Sequence, residues 1–350
     1  MLIRMPKKGK EKAERAQRIA LVTGATSYMG RLVVEKLLER GYEVRAVLKT
    51  HPNETAEWRQ LPTGVRVYAA DISLDDDATK ATLRAACSGI DVIFHLAAIT
   101  ANASNKYSDM IGTNVVGTES ILQAYTDANP TAKAGDLKVI YSSSVTVYGY
   151  MRKGEILTED SEPMPRSAYS DSKYMAEHII KEFAERNKSI NYTILRIGVI
   201  YGKGYEHNFM KIFKLLKENR LMYVGKGMNH LTLINITDVI RGIFMALDSK
   251  KSADRTYNLT DGVPYTQRDL FKKAAKFLNA KAPSRSVHPF IARMGARSRG
   301  IDVDQFSFLV SDRIVSIERI REELGFKPSV SIDRAGKELA VEFLKRYKAK

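Results

Sequence analysis

From residue 18 to about residue 200, short runs of apolar, β-branched residues alternate with longer segments whose apolar positions recur every three to four residues. The runs fall at Ile19–Thr23, 44–48, Val65–Ala69, 92–96, 139–142 and 192–196. They are short and continuously apolar, as strands covered on both faces must be. The intervening segments read as amphipathic helices; over 30–40, for example, Leu32, Val33, Leu37 and Leu38 form one stripe. Strand, helix, strand at this spacing predicts an α/β fold with a doubly wound parallel sheet. Beyond residue 200 the pattern loosens. Helices over 210–218, 266–278, 288–296 and 317–323, with short strands near 221–224 and 256–259, predict a smaller mixed lobe. The expected organisation is a basic tail (1–17), a sheet domain (18–200) and a lobe (201–345), some segments of which return to the sheet.

Composition narrows the class. With 350 residues, 44% hydrophobic and 27% charged, the chain can bury a full core and is not a disordered protein. No apolar run approaches the ~20 residues of a membrane span, and the basic N-terminal stretch lacks the apolar core of a secretory signal. A cytoplasmic protein with no membrane partner is expected. Cys87 is the single cysteine, so there is no internal disulfide, and no metal site is expected. The net charge of +16 is concentrated at the ends: residues 1–18 carry seven basic and two acidic side chains, and residues 345–350 add four basic ones. Tails of this kind do not by themselves call for nucleic acid; a basic body also attracts small anionic ligands.

Two constellations carry chemistry. Ile19 to Gly30 (IALVTGATSYMG) reads as strand, tight turn and helix start. Such a turn aims backbone N–H groups and the positive helix end at a pyrophosphate. Gly24 supplies the turn, Gly30 the close helix–strand approach, and Ser27 stands where a middle glycine is usual. In the second constellation, Tyr169 and Lys173 are four residues apart and share one face of a helix. A phenol of pKa ~10 is a poor acid or base at neutral pH, and a neighbouring ammonium is expected to favour its ionised form.

In order along the chain, these segments resemble the motifs of the extended short-chain dehydrogenase/reductase family, also described as the NAD-dependent epimerase/dehydratase superfamily. Thr23-Gly-Ala-Thr-Ser-Tyr-Met-Gly30 is similar to TGxxGxxG and Asp71-Ile72 to the adenine-binding pair. His95-Leu-Ala-Ala98 is similar to HxAA and Asn114-Val-Val-Gly-Thr118 to NxxGT. Tyr141 to Gly149 resembles SSxxVYG, Tyr169-Ser-Asp-Ser-Lys173 YxxxK, and Arg196 to Gly202 RxxxxYG, with ELGFKP at 323–328 completing the series. The resemblance implies a Rossmann fold, with Ser144, Tyr169 and Lys173 as catalytic residues. For the cofactor it implies Gly24, Thr26, Ser27, Tyr28, Met29, Gly30, Lys49, Asp71, Ile72, Leu96, Ala97, Ala98, Asn114, Ser142, Tyr169, Lys173 and Ile197. For the substrate it implies Thr100, Ser144, Val199 and Asn208. Asn114 is expected to pin backbone near the cofactor, and His95 to be structural.

Cofactor choice rests on the end of the second strand. An acid there holds a ribose 2′-hydroxyl, whereas a base welcomes a 2′-phosphate. The sequence gives Arg45-Ala-Val-Leu-Lys49, with no acid before Glu54, which favours NADP(H) over NAD(H). Family resemblance leaves two reactions open. A dihydroflavonol reductase or 3β-hydroxysteroid dehydrogenase type of enzyme would transfer hydride between NADP(H) and a carbonyl or secondary alcohol. It is favoured by Lys49, by 99–104 lacking the nucleotide-sugar serine pattern, and by the 287–328 region. A UDP-sugar 4-epimerase or dehydratase with bound NAD is the alternative, favoured by Asn208-Phe-Met210 and 223–229. Against it, His230-Leu-Thr232 stands where an Arg usually holds the diphosphate, and Val199 where an Asn is common. A non-catalytic nucleotide sensor or nucleic-acid binder ranks third, because Tyr169, Lys173 and the serine triplet are all retained. The resemblance also implies a homodimer.

Overall fold

The structure, a computed structural model, describes residues 17–49, 61–100, 106–149, 154–297 and 312–348. In the first half, β1 (Ile19–Thr23), α1 (Tyr28–Glu39), β2 (Glu43–Leu48), β3 (Val65–Ala69), α2 (Asp77–Cys87) and β4 (Val92–His95) alternate. Then come α3 (Tyr107–Met110), a π-helical turn (Ile111–Val116), α4 (Gly117–Ala128) and β5 (Leu137–Ser144). Next are β6 (Ile156–Leu157), α5 (Ala168–Arg186), β7 (Ile190–Ile197) and β8 (Val199–Tyr201). The remainder comprises α6 (His207–Lys217), β9 (Tyr223–Val224), β10 (His230–Leu231), β11 (Leu233–Asn235), α7 (Ile236–Asp248), β12 (Arg255–Leu259), β13 (Tyr265–Thr266) and α8 (Gln267–Phe277). The last elements are β14 (Ser286–Val287), α9 (Pro289–Arg297), β15 (Ile314–Val315), α10 (Glu318–Leu324) and α11 (Ile332–Lys348).

Seven strands form one sheet in the order β12-β7-β5-β4-β1-β2-β3, parallel throughout. The chain winds outward from β1 to β3, then returns to lay β4 on the other side of β1. That reversal opens a crevice at the carboxyl ends of β1 and β4, the usual place for a ligand in such sheets. The period of two sorts β1 between two cores: Ala20 and Val22 pack under α1 and α7, Leu21 under α2, α4 and α5. Each fully buried aliphatic side chain in these layers contributes roughly 1.5–3 kcal/mol. A third core, with Phe209, Phe213, Phe271, Leu339 and Phe343, belongs to α6, α8 and α11 and makes the smaller lobe.

Three local expectations shift. Helix α1 starts at Tyr28 because the Ser27 side chain caps the Gly30 amide at 3.0 Å. The strand expected near 221–224 shrinks to β9, since Asn219 takes a left-handed φ of 51° and the Arg220 and Leu221 amides fold back onto the Leu215 carbonyl. The strand near 256–259 is not part of the lobe; as β12 it closes the main sheet against β7.

Candidate active site

The crevice holds a cleft of about 310 Å³, lined by Thr26 and Ser27 of the glycine turn, Lys49, Asp71, Ile72, and Leu96 to Ala98. A cofactor cradle must let backbone come close, and it does. A Cβ on Gly24, whose φ is +70°, would lie 2.7 Å from the Ala97 amide, and one on Gly30 only 2.2 Å from the Gly24 carbonyl oxygen. Ser27 fits the middle position by doing what a glycine cannot: its hydroxyl donates to the Gly24 carbonyl at 2.8 Å while accepting from Gly30. Met29 points into the core beneath the sheet, so only its backbone faces the turn. The Tyr28 ring meets Tyr205 edge-on, 6.1 Å between centroids, beside Gly204.

Lys49, at the end of β2, reaches across the rim to pair with Asp71 at 3.0 Å. Burial raises the Asp71 carboxyl, but hydrogen bonds from Ser73 and Lys49 outweigh it and hold the group below the ordinary carboxylate range. Glu54, the first acid after Lys49, and residues 101–105 of the segment after Ala98 lie outside the described residues. Val47, Leu48, Ala70, Ile99 and Thr113 also line the cleft. The motifs do not name them; the signal available for the first three was that strand ends at a sheet's switch point face the ligand.

A polar chain runs under the cleft. The Thr23 hydroxyl accepts from the Leu96 and Ala97 amides, at 3.2 and 3.1 Å, so its own proton goes to His95 Nδ1 at 2.8 Å. His95 Nε2 is then the donor to Thr118 Oγ1 at 2.8 Å, and Thr118 donates to the Asn114 carbonyl at 2.6 Å. This requires a neutral ring, and burial, helped by Lys173, pushes the His95 pKa down to about 3. Asn114 sits in the π-helical turn with its amide fully used: it exchanges hydrogen bonds with the Ile99 backbone at 2.8 and 3.0 Å and donates to Ser172 at 2.9 Å.

The serine triplet at the end of β5 is sorted by the strand. Ser142 donates to the His95 carbonyl at 3.3 Å, and Ser143 turns to the opposite side and donates to buried Glu177 at 2.5 Å. Ser144 accepts from the Thr146 amide and hydroxyl at 3.2 and 2.9 Å and is hydrogen-bonded to Tyr169. Tyr169 and Lys173 lie on the first turns of α5, whose start is set by a capping box between Ser167 and Ser170. The Lys173 ammonium lies 4.2 Å from the centroid of the Tyr141 ring. Ile197 is buried opposite Ser144 in register, and Val199, just beyond it, is half-buried. Thr100 and Asn208 are exposed.

One electrostatic expectation is corrected. Lys173 does not draw the Tyr169 phenol toward ionisation; burial pushes that phenol up to about 12, Tyr205 adds to the rise, and the Ser144 hydrogen bond opposes it. Burial likewise pushes Lys173 down to about 7, opposed by Glu177. For each group desolvation is the largest cause of the shift. The phenol therefore remains a proton donor throughout the neutral range.

Among the described residues no helix is long and apolar enough to cross a membrane, and no cluster of His, Cys, Asp and Glu could hold a metal ion. The model of the NAD dependent epimerase/dehydratase family matches residues 20–260. The chain is 27% identical over 220 residues to N-acetyl-alpha-D-glucosaminyl-diphospho-ditrans,octacis-undecaprenol 4-epimerase of Escherichia coli O157:H7, covering 62% of this chain and 63% of that protein. It is 25% identical to 2-alkyl-3-oxoalkanoate reductase of Stenotrophomonas maltophilia, covering 94% of this chain and 98% of the reductase. With 3-beta-hydroxysteroid dehydrogenase of Mycolicibacterium neoaurum it shares 25% identity, over 90% of this chain and 88% of the relative. The fold is that of UDP-glucose 4-epimerase from Thermotoga maritima, with a TM-score of 0.72 at 24% identity over 94% of this chain and 99% of the epimerase. The chain is an enzyme and belongs to the NAD-dependent epimerase/dehydratase family of oxidoreductases and epimerases.

Proposed function

We propose that the enzyme transfers hydride between NADP(H) and a carbonyl or secondary alcohol of a small molecule. The observation that carries this reading is the hydrogen bond between Ser144 and Tyr169, with Lys173 one helical turn further along α5 and Ser142 and Ser143 engaged elsewhere. The bound dinucleotide supplies the hydride donor or acceptor. Tyr169, protonated at neutral pH, gives its proton to the carbonyl oxygen; in the reverse direction it takes one back. Ser144 holds the same oxygen and favours the charge that grows on it. Lys173 stands one turn further along α5, where it meets the nicotinamide ribose and restrains the tyrosine. Thr26, Tyr28 and Met29 take the pyrophosphate through backbone N–H groups, on a turn shaped by Gly24, Ser27 and Gly30. Asp71 and Ile72 take the adenine, Leu96 to Ala98 with Asn114 the middle of the cofactor, and Ser142 and Ile197 the nicotinamide end. Thr100, Val199 and Asn208 are the first candidates for substrate contact.

Lys49 is the residue given to the 2′-phosphate: it places an ammonium at the cleft rim, where the phosphate would replace Asp71 as its partner. A charge-assisted hydrogen bond to phosphate contributes about 1.5–3 kcal/mol. Lys49→Ala is therefore expected to raise the KM for NADPH roughly tenfold to a hundredfold and leave that for NADH nearly unchanged. Equal losses for both cofactors would remove Lys49 from the choice.

An internal redox cycle on retained NAD, as in a 4-epimerase or dehydratase acting on a nucleotide sugar, is the second reading. It is favoured by the likeness to the undecaprenol-linked 4-epimerase. Against it, His230 is tied by Nδ1 to Asp312 at 2.7 Å, which sets a carboxylate beside the position where a diphosphate would need a cation. Denaturing the purified protein and quantifying released nucleotide tests the choice. Near-stoichiometric NAD would overturn the reductase reading, whereas little nucleotide fits an exchangeable cosubstrate. The same family reading carries a homodimer packed through α4 and α5; a monomer mass in sedimentation would contradict it.

A further inference from the structure

After β5 the chain makes one tight turn, Val145–Tyr148, with Ser144 capping its start and Gly149 closing its end. The Gly149 amide donates to the Thr146 carbonyl at 3.0 Å. Gly149 takes a left-handed φ of +67°, and a Cβ placed on it would collide with the Met164 carbonyl oxygen. Two stretches of backbone therefore meet at Gly149 with no room for a side chain between them. One carries Ser144; the other leads through the Ser167 cap into α5 and Tyr169.

A third segment holds this junction. Arg313, just before β15, is buried and donates through Nε to the Gly149 carbonyl at 2.6 Å. Among the described residues it is the one donor to that carbonyl. Its own backbone is fixed from the lobe: the Arg313 amide donates to the His230 carbonyl at 3.2 Å, and its carbonyl accepts from the Thr232 hydroxyl at 3.1 Å. The strand that follows, β15, pairs with β6, and Val315 and Leu157 share a small core with Val145, Val147 and Tyr148 of the turn. A buried guanidinium is a costly way to fill space. What it supplies here is an N–H for a buried carbonyl that would otherwise lose its hydrogen bond.

We propose that Arg313 is a positioning residue of the reacting pair: by holding the Gly149 carbonyl it fixes the junction between the turn and the start of α5, and with it the hydrogen bond between Ser144 and Tyr169. The inference rests on the reading that makes Ser144 and Tyr169 the groups that handle the carbonyl oxygen. The two hydroxyls arrive on different elements, one at the end of β5 and one at the start of α5. An O–H···O bond spans only about 2.5–3.0 Å, so a small slip of the turn against the helix breaks it.

The test reads the phenol. In full-length protein carrying 13C at the tyrosine Cζ position, the Tyr169 signal is identified by its loss in Tyr169→Phe. Ser144→Ala then gives its position without the hydrogen bond. Two variants of Arg313 differ in what stands where Nε stood: a methyl group in Arg313→Met, an amide N–H in Arg313→Gln. Arg313→Met is expected to move the Tyr169 signal toward its position in Ser144→Ala. Arg313→Gln restores the donor without the charge and is expected to bring the signal back close to native. A signal unmoved in Arg313→Met would overturn the proposal. Equal displacement in both variants would overturn it too, by making the charge rather than the donor responsible. Gly89→Ala, altered in the loop before β4, is expected to leave the signal in place; a displacement as large as that of Arg313→Met would mean that lost stability alone moves the phenol, and would also overturn the proposal. Should Arg313→Met fail to fold, Arg313→Lys keeps a buried cation and puts a methylene where Nε stood. The same displacement is expected of it, and an unmoved signal overturns the proposal equally. A Tyr169 signal that Ser144→Ala leaves in place would overturn the reading beneath the proposal, a result obtained before Arg313 is touched.

Discussion

Tyr169→Phe is expected to lose turnover by about 10²–10⁴-fold, the range that one positioned acid–base group contributes. The change deletes one hydroxyl and nothing else. That hydroxyl is hydrogen-bonded to Ser144, and its loss costs stability only about 1 kcal/mol. The Phe ring fills the same space on α5, so helix position, the Lys173 cation and the glycine turn are undisturbed, and the cofactor Kd should stay within about twofold of native. The measurement is a rate with NADPH and a panel of carbonyl compounds, paired with a cofactor titration. Turnover retained in the variant would take the tyrosine out of the mechanism. A parallel loss of rate and cofactor affinity would mean that the phenol serves the cradle rather than the reaction.

Gly30→Ala is expected to cost about 3 kcal/mol of stability and weaken cofactor binding at least about tenfold, at the upper end of overpacking effects. The new methyl would stand 2.2 Å from the Gly24 carbonyl oxygen and 2.8 Å from the Ala25 Cα, both backbone atoms that no side-chain rotation moves aside. The turn must open, which displaces the amides proposed to take the pyrophosphate and breaks the Ser27 cap. Gly89→Ala is the informative comparison. Gly89 has a left-handed φ of +67° but nothing within 4 Å of its missing Cβ, so its replacement should cost only the strain of that conformation, about 1–2 kcal/mol, and leave the cofactor alone. Thermal melts and cofactor titrations of the two variants separate the effects. Native behaviour in Gly30→Ala would mean that the close approach of α1 to the turn is dispensable.

Much of this site was legible along the chain because it is local. The glycine turn, with its strand before and helix after, falls within residues 19–30, and Tyr169 and Lys173 are joined by helical spacing alone. What escaped depends on contacts between distant segments. The roles of Ser142, Ser143 and Ser144 are set by the pleat of β5 and by what stands on each side of it, a fully buried acid in the case of Ser143. In sequence, Glu177 reads as one more acid on a charged helix; its partners come from β5 and β7, 34 and 19 residues away. The ionisation of Tyr169 was misjudged for the same reason, since the depth at which a phenol is buried belongs to the assembled fold. Strand β12 looked like part of the lobe because a five-residue apolar run carries no record of which edge it will join.

Strand β12 has a consequence for how the protein is made. When the ribosome has delivered residues 18–200, β7 is the sheet's open margin, with a ladder of N–H and C=O groups waiting for Arg255–Leu259. The face of β1 that carries Ala20 and Val22 is then covered by α1 alone, because the rest of its cover includes Val239 and Ile243 from α7 and, later still, Ile320 and Phe326. At roughly 5–20 residues per second, the nascent chain spends on the order of ten seconds with an adhesive margin and a partly covered hydrophobic surface. The half built from residues 18–200 is therefore not expected to fold on its own, and messages truncated before Phe326 should yield aggregates rather than a smaller working domain.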